Sequence, residues 1–155
     1  MTNTKESTAA IAEMLIRKPV SEVFNAFINP EITTKFWFTK STGKLEAGKK
    51  VDWAWEMYNH TEPVLVKSIV PDETIIIEWG AESGKTTVEW SFKQLTESST
   101  FVSIVNSGFK GNSEQLIPQI RDATGGFTIV LAGLKAYLEH GIQLNLIADR
   151  FPEGI

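Results

Sequence analysis

The spacing of apolar residues changes period twice along the chain, and this change limits the possible folds more than any other feature of the sequence. From Val20 to Ile28 apolar residues recur every three or four positions, which predicts a helix that ends at Asn29-Pro30. From about Ser41 to Gly108 they alternate with polar residues and turn residues, which predicts an antiparallel meander. The helical spacing then returns in a long segment that ends near His140-Gly141.

Two shorter elements are predicted before the alternating region. Ala10 to Arg17 contains a short apolar segment, and Lys18-Pro19 ends this first strand because proline has no N–H to donate. A second short helix is predicted to begin at Pro30, with Asn29 as its cap. This order predicts the α+β class: a curved antiparallel sheet of about six to seven strands wrapped around a long C-terminal helix. The second short helix would carry Ile32, Phe36 and Trp37.

The long helix contains two unusual features. Asn112 and Gln115 resemble a capping box at its start, but Pro118 would then fall inside the helix, so we expect a kink or a new start there. Gly125-Gly126 lies in the middle, where each glycine costs on the order of 1 kcal/mol relative to alanine. Either the helix bends or approaches a strand closely here, or the missing side chains leave room for a ligand. The tail from Ile142 to Ile155 has no clear period.

One face of the predicted sheet is rich in tryptophan. Four of the five tryptophans lie on predicted strands, and three of these share a face with aliphatic neighbours. Each indole is a large apolar surface whose N–H needs a partner when buried, so this face forms either a packed core or the wall of an apolar pocket. The residues expected to line a cavity between sheet and long helix are Trp53, Trp55, Met57, Val66, Ile77, Trp79, Val88, Trp90, Phe92, Phe127, Leu131 and Leu134.

Few side chains are suited to catalysis or metal binding. The chain has no Cys, which excludes thiol nucleophiles, disulfides and zinc–thiolate sites. Of the two histidines, His60 lies in a predicted turn and His140 at the end of the long helix, where a cation complements the helix dipole. We therefore expect no catalytic residue, no metal and no cofactor.

Three residues are candidates for polar anchors of a ligand. Arg121 could hold an anionic head group at the mouth of a cavity, or it could pair on the surface with Asp122 or Glu114. The candidate anchors are Tyr58, Arg121 and Thr128.

Charge and hydropathy exclude two classes of partner. Fifteen Lys and Arg residues against 19 Asp and Glu residues give a net charge of −4, and no stretch forms a basic stripe for phosphates, so we expect no nucleic-acid partner. The apolar runs are too short for a membrane span, and residues 1–10 lack the apolar core of a signal peptide. We expect a single cytoplasmic domain over residues 1–155, as a monomer or weak dimer.

Several segments together resemble a known superfamily. The order of elements and the segment Arg17–Phe27 resemble the helix-grip superfamily, which includes START-related lipid-transfer domains and birch-pollen-allergen-like proteins. Other segments are similar to the activator of heat-shock-protein-90 ATPase homologue-like family within it, and the likeness covers nearly the whole chain. Phe127 departs from this pattern, since the family often has Trp there, and this implies a different cavity shape. The similar segments are residues 32–37, 43–48, 51–53 and 126–139.

The resemblance implies a START-like fold and leaves three functions open. The first is binding of a small hydrophobic or aromatic molecule, such as a lipid, a sterol, or a polyketide-like or flavonoid-like compound, between sheet and helix. The second, from the family name alone, is a co-chaperone that activates a heat-shock ATPase. The third is an enzyme that acts on a small hydrophobic substrate, in which a buried carboxylate or tyrosine would supply acid–base chemistry.

Overall fold

The computed structural model describes residues 8–154. It contains a single seven-stranded antiparallel sheet with a long helix packed against it. The order of strands across the sheet is β1-β7-β6-β5-β4-β3-β2, so β1 and β2 lie at its two edges. This architecture confirms the predicted α+β class and helix-grip fold. The strands are β1 (Ala10–Ile16), β2 (Lys40–Ser41), β3 (Lys50–Trp55), β4 (His60–Val70), β5 (Thr74–Trp79), β6 (Thr86–Thr96) and β7 (Ser99–Ser107). The helices are α1 (Val20–Ile28), α2 (Pro30–Thr33), α3 (Ser113–His140) and α4 (Leu146–Arg150).

The first half of the chain follows the predicted order. The first helix ends at Ile28, and the Asn29 side chain caps the second by accepting a hydrogen bond from the Glu31 backbone N–H at 3.1 Å. This second helix is shorter than predicted because it ends at Thr33. Phe36 and Trp37 therefore lie in the segment that follows it, where both side chains are buried.

The core lies between one face of the curved sheet and α3. Trp53, Trp90 and Ile77 on the strands and Leu131 and Leu134 on α3 are all at most 1% exposed. Irregular pairing in β4, between Val66 and Ser68, and in β6, between Gln94 and Thr96, marks two bulges that increase the bend of the sheet.

Polar contacts fix the C-terminal end of α3 to the edge of the sheet. Lys135 Nζ donates to the Leu15 carbonyl oxygen at 2.9 Å and to the Glu139 carboxylate at 2.7 Å. The same carboxylate accepts the Arg17 backbone N–H at 2.8 Å. These contacts hold the helix against β1, at the opposite edge of the sheet from β2.

Two local predictions need correction. Strand β3 ends at Trp55, and Met57 and Tyr58 lie in a 3-10 turn (Glu56–Tyr58) instead of on the two strand faces, because Asn59 adopts the left-handed conformation with φ 48°. The helix does not start anew at Pro118, since α3 runs continuously from its capping box at Asn112 to the left-handed Gly141. The tail without a clear period contains α4 and a last 3-10 turn, Pro152–Gly154.

Candidate functional site

A cavity of about 670 Å³ lies between the middle of α3 and the C-terminal segment. We call it the glycine cavity, because Gly125 and Gly126 form part of its wall. The exposed side chains of Arg121 and Phe151 leave it open to solvent at one side. Its lining consists of Tyr58, Arg121, Asp122, Gly125, Gly126, Ile129, Ile147, Arg150 and Phe151.

The two glycines of α3 leave open space where side chains would otherwise project. A Cβ atom added at Gly125 or at Gly126 would meet nothing within 4 Å. At Gly133, two turns further along the helix, it would lie 3.3 Å from the Cβ and carbonyl oxygen of Phe36. Close approach therefore explains Gly133 and does not explain Gly125-Gly126, where the missing side chains enlarge the cavity.

A smaller cavity of about 120 Å³, the inner cavity, lies between α3, Trp79 on β5 and Trp37 in the segment after α2. It shares Gly126 and Ile147 with the glycine cavity, so the two spaces are adjacent. The inner cavity is lined by Trp37, Trp79, Ala123, Gly126, Phe127, Val130 and Ile147.

Trp37 lies at the centre of the aromatic cluster that borders the inner cavity. Its ring centroid is 4.9 Å from that of Trp53, 5.9 Å from Trp79 and 5.8 Å from Phe127. Trp53 also stacks on Phe38 at 4.6 Å. Tilted and edge-to-face pairs at these distances add to the energy of burial, so this cluster makes one wall of the cavity rigid.

The residues predicted from sequence to line a cavity occupy three kinds of position. Trp79 and Phe127 border the inner cavity. Met57 is 42% exposed and borders a separate space of about 190 Å³ under the C-terminal segment. The other nine are buried in the packed core between sheet and helix: Trp53, Trp55, Val66, Ile77, Val88, Trp90, Phe92, Leu131 and Leu134.

Two of the three predicted polar anchors lie in the glycine cavity. Tyr58 borders it, and its hydroxyl donates to the backbone carbonyl oxygen of Ile147. Arg121 also borders it, with Nε 3.7 Å from Oδ1 of Asp122 and both side chains exposed. Thr128 is exposed, and its hydroxyl donates to the Thr124 carbonyl oxygen of its own helix at 2.6 Å.

The outer wall of the glycine cavity comes from residues that sequence reasoning missed. Ile147, Arg150 and Phe151 belong to the C-terminal segment, and the Arg150 guanidinium lies 4.2 Å from the centroid of the Phe151 ring. One signal in the sequence points to this element: Ile147 and Phe151 are four positions apart, the spacing of one helical turn.

Three carboxyl groups have a lowered pKa. A hydrogen bond from Lys49 lowers the pKa of Glu46, and one from Lys67 lowers the pKa of Glu78. Burial acts to raise the pKa of Glu139, but hydrogen bonds from the Arg17 N–H and from Lys135 outweigh it and the net shift is downward. These three groups are ionised at neutral pH and have no proton to donate as general acids.

Within residues 8–154 no group of three or more His, Asp or Glu side chains is placed to hold a metal ion. No helix in the same range combines the length and the apolar character needed to cross a membrane.

Comparison of sequences gives one family match. Residues 17–139 match the model of the family described as "Activator of Hsp90 ATPase homolog 1-like protein". No curated protein matches the sequence at a significant level.

Solved structures with the same fold come from several bacteria. Protein SSP2350 from Staphylococcus saprophyticus is 28% identical, with a TM-score of 0.74 over 88% of this chain and 95% of that one. The Aha1 dimer from Colwellia psychrerythraea is 14% identical, with a TM-score of 0.73 over 86% of this chain and 97% of that one. The di-domain ARO/CYC BexL from the BE-7585A biosynthetic pathway is 12% identical, with a TM-score of 0.74 over 84% of this chain and 46% of that one.

Proposed function

This chain belongs to the activator of Hsp90 ATPase homolog 1-like family, and from that premise we propose that it binds a small apolar or aromatic molecule in the glycine cavity. One observation carries the proposal. Gly125 and Gly126 lie inside a long helix at a cost to its stability, and the space that their missing side chains leave forms part of a cavity of about 670 Å³.

The size and lining of the glycine cavity suit a small organic ligand. Ligand pockets in proteins usually measure roughly 300–1,000 Å³ and combine apolar walls with a few polar groups. Here Ile129, Ile147 and Phe151 supply the apolar walls, and the backbone at Gly125-Gly126 allows a flat molecule to approach α3 closely. Affinity would come from apolar burial, at about 25 cal/mol per Å².

Polar groups at the rim favour a ligand with an acidic or strongly polar end. Arg121 and Arg150 both border the cavity, whereas Asp122 supplies the single carboxylate in its lining. The Arg150 guanidinium packs on the Phe151 ring, which holds this cation at the mouth. We therefore place the apolar part of the ligand beside Gly126 and its polar end between the two arginines.

The fold neighbours are compatible with this proposal. One is named ARO/CYC and belongs to a biosynthetic pathway, and the chain shares its fold at 12% identity. Polyketide-like and flavonoid-like aromatics are therefore the first ligand class to test, followed by sterols and fatty-acyl compounds.

The test is native mass spectrometry of freshly purified protein, followed by displacement with these three classes of compound and detection by tryptophan fluorescence. We expect a stoichiometric small molecule that a competitor displaces. Gly126→Leu should weaken its binding at least tenfold by filling the cavity, whereas Thr128→Leu places the same leucine side chain on the exposed face of α3 and should not. An apo mass with no response to any competitor would overturn the proposal, and the search would move to protein partners such as a heat-shock ATPase.

A further inference from the structure

Another cavity, of about 270 Å³, lies near the start of α3 and plays no part in the proposed function. We call it the Asn106 cavity. It shares only Trp79 with the inner cavity and has no residue in common with the glycine cavity. Its lining consists of Glu62, Trp79, Gly80, Gly84, Thr86, Asn106, Phe109 and Gln119.

Asn106 presents a side-chain oxygen without a donor in this cavity. Its side chain is 2% exposed, and its amide nitrogen donates to the Thr87 carbonyl oxygen at 2.9 Å and to Thr86 Oγ1 at 3.0 Å. Because a carbonyl only accepts, the contact with Thr87 fixes which end of the amide is the nitrogen. Oδ1 then has no hydrogen-bond donor among residues 8–154, and it is not fully enclosed by protein atoms, since Trp90 Nε1 is the fully buried side-chain atom without a partner in that range.

The other polar side chains in the lining also offer oxygen atoms. Gln119 uses its amide nitrogen on the Lys110 and Gln115 carbonyl oxygens, at 3.1 and 2.8 Å. Thr86 Oγ1 accepts from both Asn106 and Trp79 Nε1, the latter at 3.1 Å. The amide nitrogens of Asn106 and Gln119 are thus both in use, and only their oxygen atoms remain free to accept. The cavity is therefore suited to a ligand that donates a hydrogen bond.

The remaining lining favours an aromatic donor. Trp79 and Phe109 both border the cavity, and Phe109 makes no ring-to-ring contact with another aromatic side chain in residues 8–154. Glu62 adds a carboxylate to the lining, which contacts His60 Nε2 at 2.8 Å and is a further acceptor. We propose that the Asn106 cavity binds a small aromatic ring with a hydroxyl group, and that this hydroxyl donates to Asn106 Oδ1.

The first test compares phenol with anisole and toluene, which have similar shape but no hydroxyl. Each is titrated into ¹⁵N-labelled full-length protein, and the amide signals and tryptophan indole signals are followed by NMR. We expect phenol to bind about fivefold more tightly than anisole, the effect of one neutral hydrogen bond, and to shift the Trp79 indole and the Gly80 and Gly84 amides. Equal affinity for the three probes, or shifts at Gly125 and Gly126 in place of Gly80 and Gly84, would overturn the proposal.

The second test changes the residue that holds Asn106 in position. Thr86→Val keeps the shape of the side chain and suits a strand, but it removes the oxygen that binds the Asn106 amide, so the preference for phenol should fall at least threefold. Thr87→Val is the matched control, because the Thr87 side chain makes no hydrogen bond within the described residues and only its backbone carbonyl contacts Asn106. If both variants keep the full preference for phenol, the proposal is wrong.

Discussion

The Tyr58 hydroxyl donates a hydrogen bond to the backbone carbonyl oxygen of Ile147, and it lies 3.3 Å from the carbonyl oxygen of Ala148. This contact joins the 3-10 turn after β3 to α4, two elements that are far apart in the sequence. Since Tyr58 and Ile147 both border the glycine cavity, the bond fixes the position of its outer wall.

Tyr58→Phe removes this bond and keeps the ring. The free energy of unfolding should fall by about 1 kcal/mol, which corresponds to about 2–4 °C in Tm for a chain of this length. Hydrogen exchange should increase in residues 146–150 more than in the sheet. Tyr137→Phe is the control, because no hydrogen bond of the Tyr137 hydroxyl is present within residues 8–154. Equal effects of the two changes would show that the contact with Ile147 adds no stability.

Alanine substitution should change the stability of the protein differently at the three glycines of α3, because their surroundings differ. Gly125→Ala and Gly126→Ala should each stabilise the protein by about 0.5–1 kcal/mol, since alanine favours the helix and the new Cβ meets no atom within 4 Å. Gly133→Ala should give no gain, because its Cβ would lie 3.3 Å from Phe36. Urea denaturation measures all three, and a comparable gain at Gly133 would contradict this account.

Substitutions in the aromatic cluster should distinguish core from cavity wall. Trp53 is 1% exposed and stacks on Phe38, so Trp53→Ala should lower the free energy of unfolding by about 3–5 kcal/mol. Trp79 is half-buried and borders the inner cavity, so Trp79→Phe should lower the free energy of unfolding by less. Its main effect should be on the affinity for a ligand next to this cavity. Denaturation and ligand titration on the same samples test both statements. A larger loss of stability at Trp79 than at Trp53 would refute this assignment.

The Glu139 contacts predict a specific dependence of stability on pH. The pKa of Glu139 in the folded protein lies below 4.5, the ordinary value for a glutamate carboxyl group, so the carboxylate stabilises the fold above that pH. This contribution should disappear as the pH falls through the folded pKa. The difference in stability between the native protein and Glu139→Gln should therefore stay constant from about pH 7 to pH 5 and shrink below about pH 4.5. Glu97→Gln, in the exposed turn between β6 and β7, is the control, because its side chain forms no ion pair or hydrogen bond within residues 8–154.

Periodicity predicts most of the elements because each of them buries one face. The stripe on α3 and the alternation along β3, β5 and β6 report directly on the core, and the cap residues Asn29 and Gly141 act through local geometry. Periodicity does not predict the turn at Met57, because the alternation of apolar and polar residues in the sequence continues past the end of β3 into the 3-10 turn. Pro118 removes one backbone hydrogen bond from α3, but the capping box at Asn112 satisfies the first turn and the helix continues.

The candidate site was only partly predictable from the sequence. Gly125-Gly126 indicated a space beside α3, because glycine in a helix needs a reason. The opposite wall was missed since α4 has only five residues, too few to be stable alone or to show a period. It is held by contacts such as that between Tyr58 and Ile147, which no local pattern encodes.

The outer wall of the glycine cavity lies beyond the part of the chain that defines the family. Ile147, Arg150 and Phe151 all follow residue 139, where the family match ends, whereas Gly125 and Gly126 lie within it. The matched stretch therefore encodes the scaffold and one side of the cavity, which includes Tyr58, Arg121 and Ile129, whereas the outer wall is encoded after it. Replacement of about fifteen C-terminal residues could change which ligand the cavity selects, while the core between the sheet and α3 stays intact.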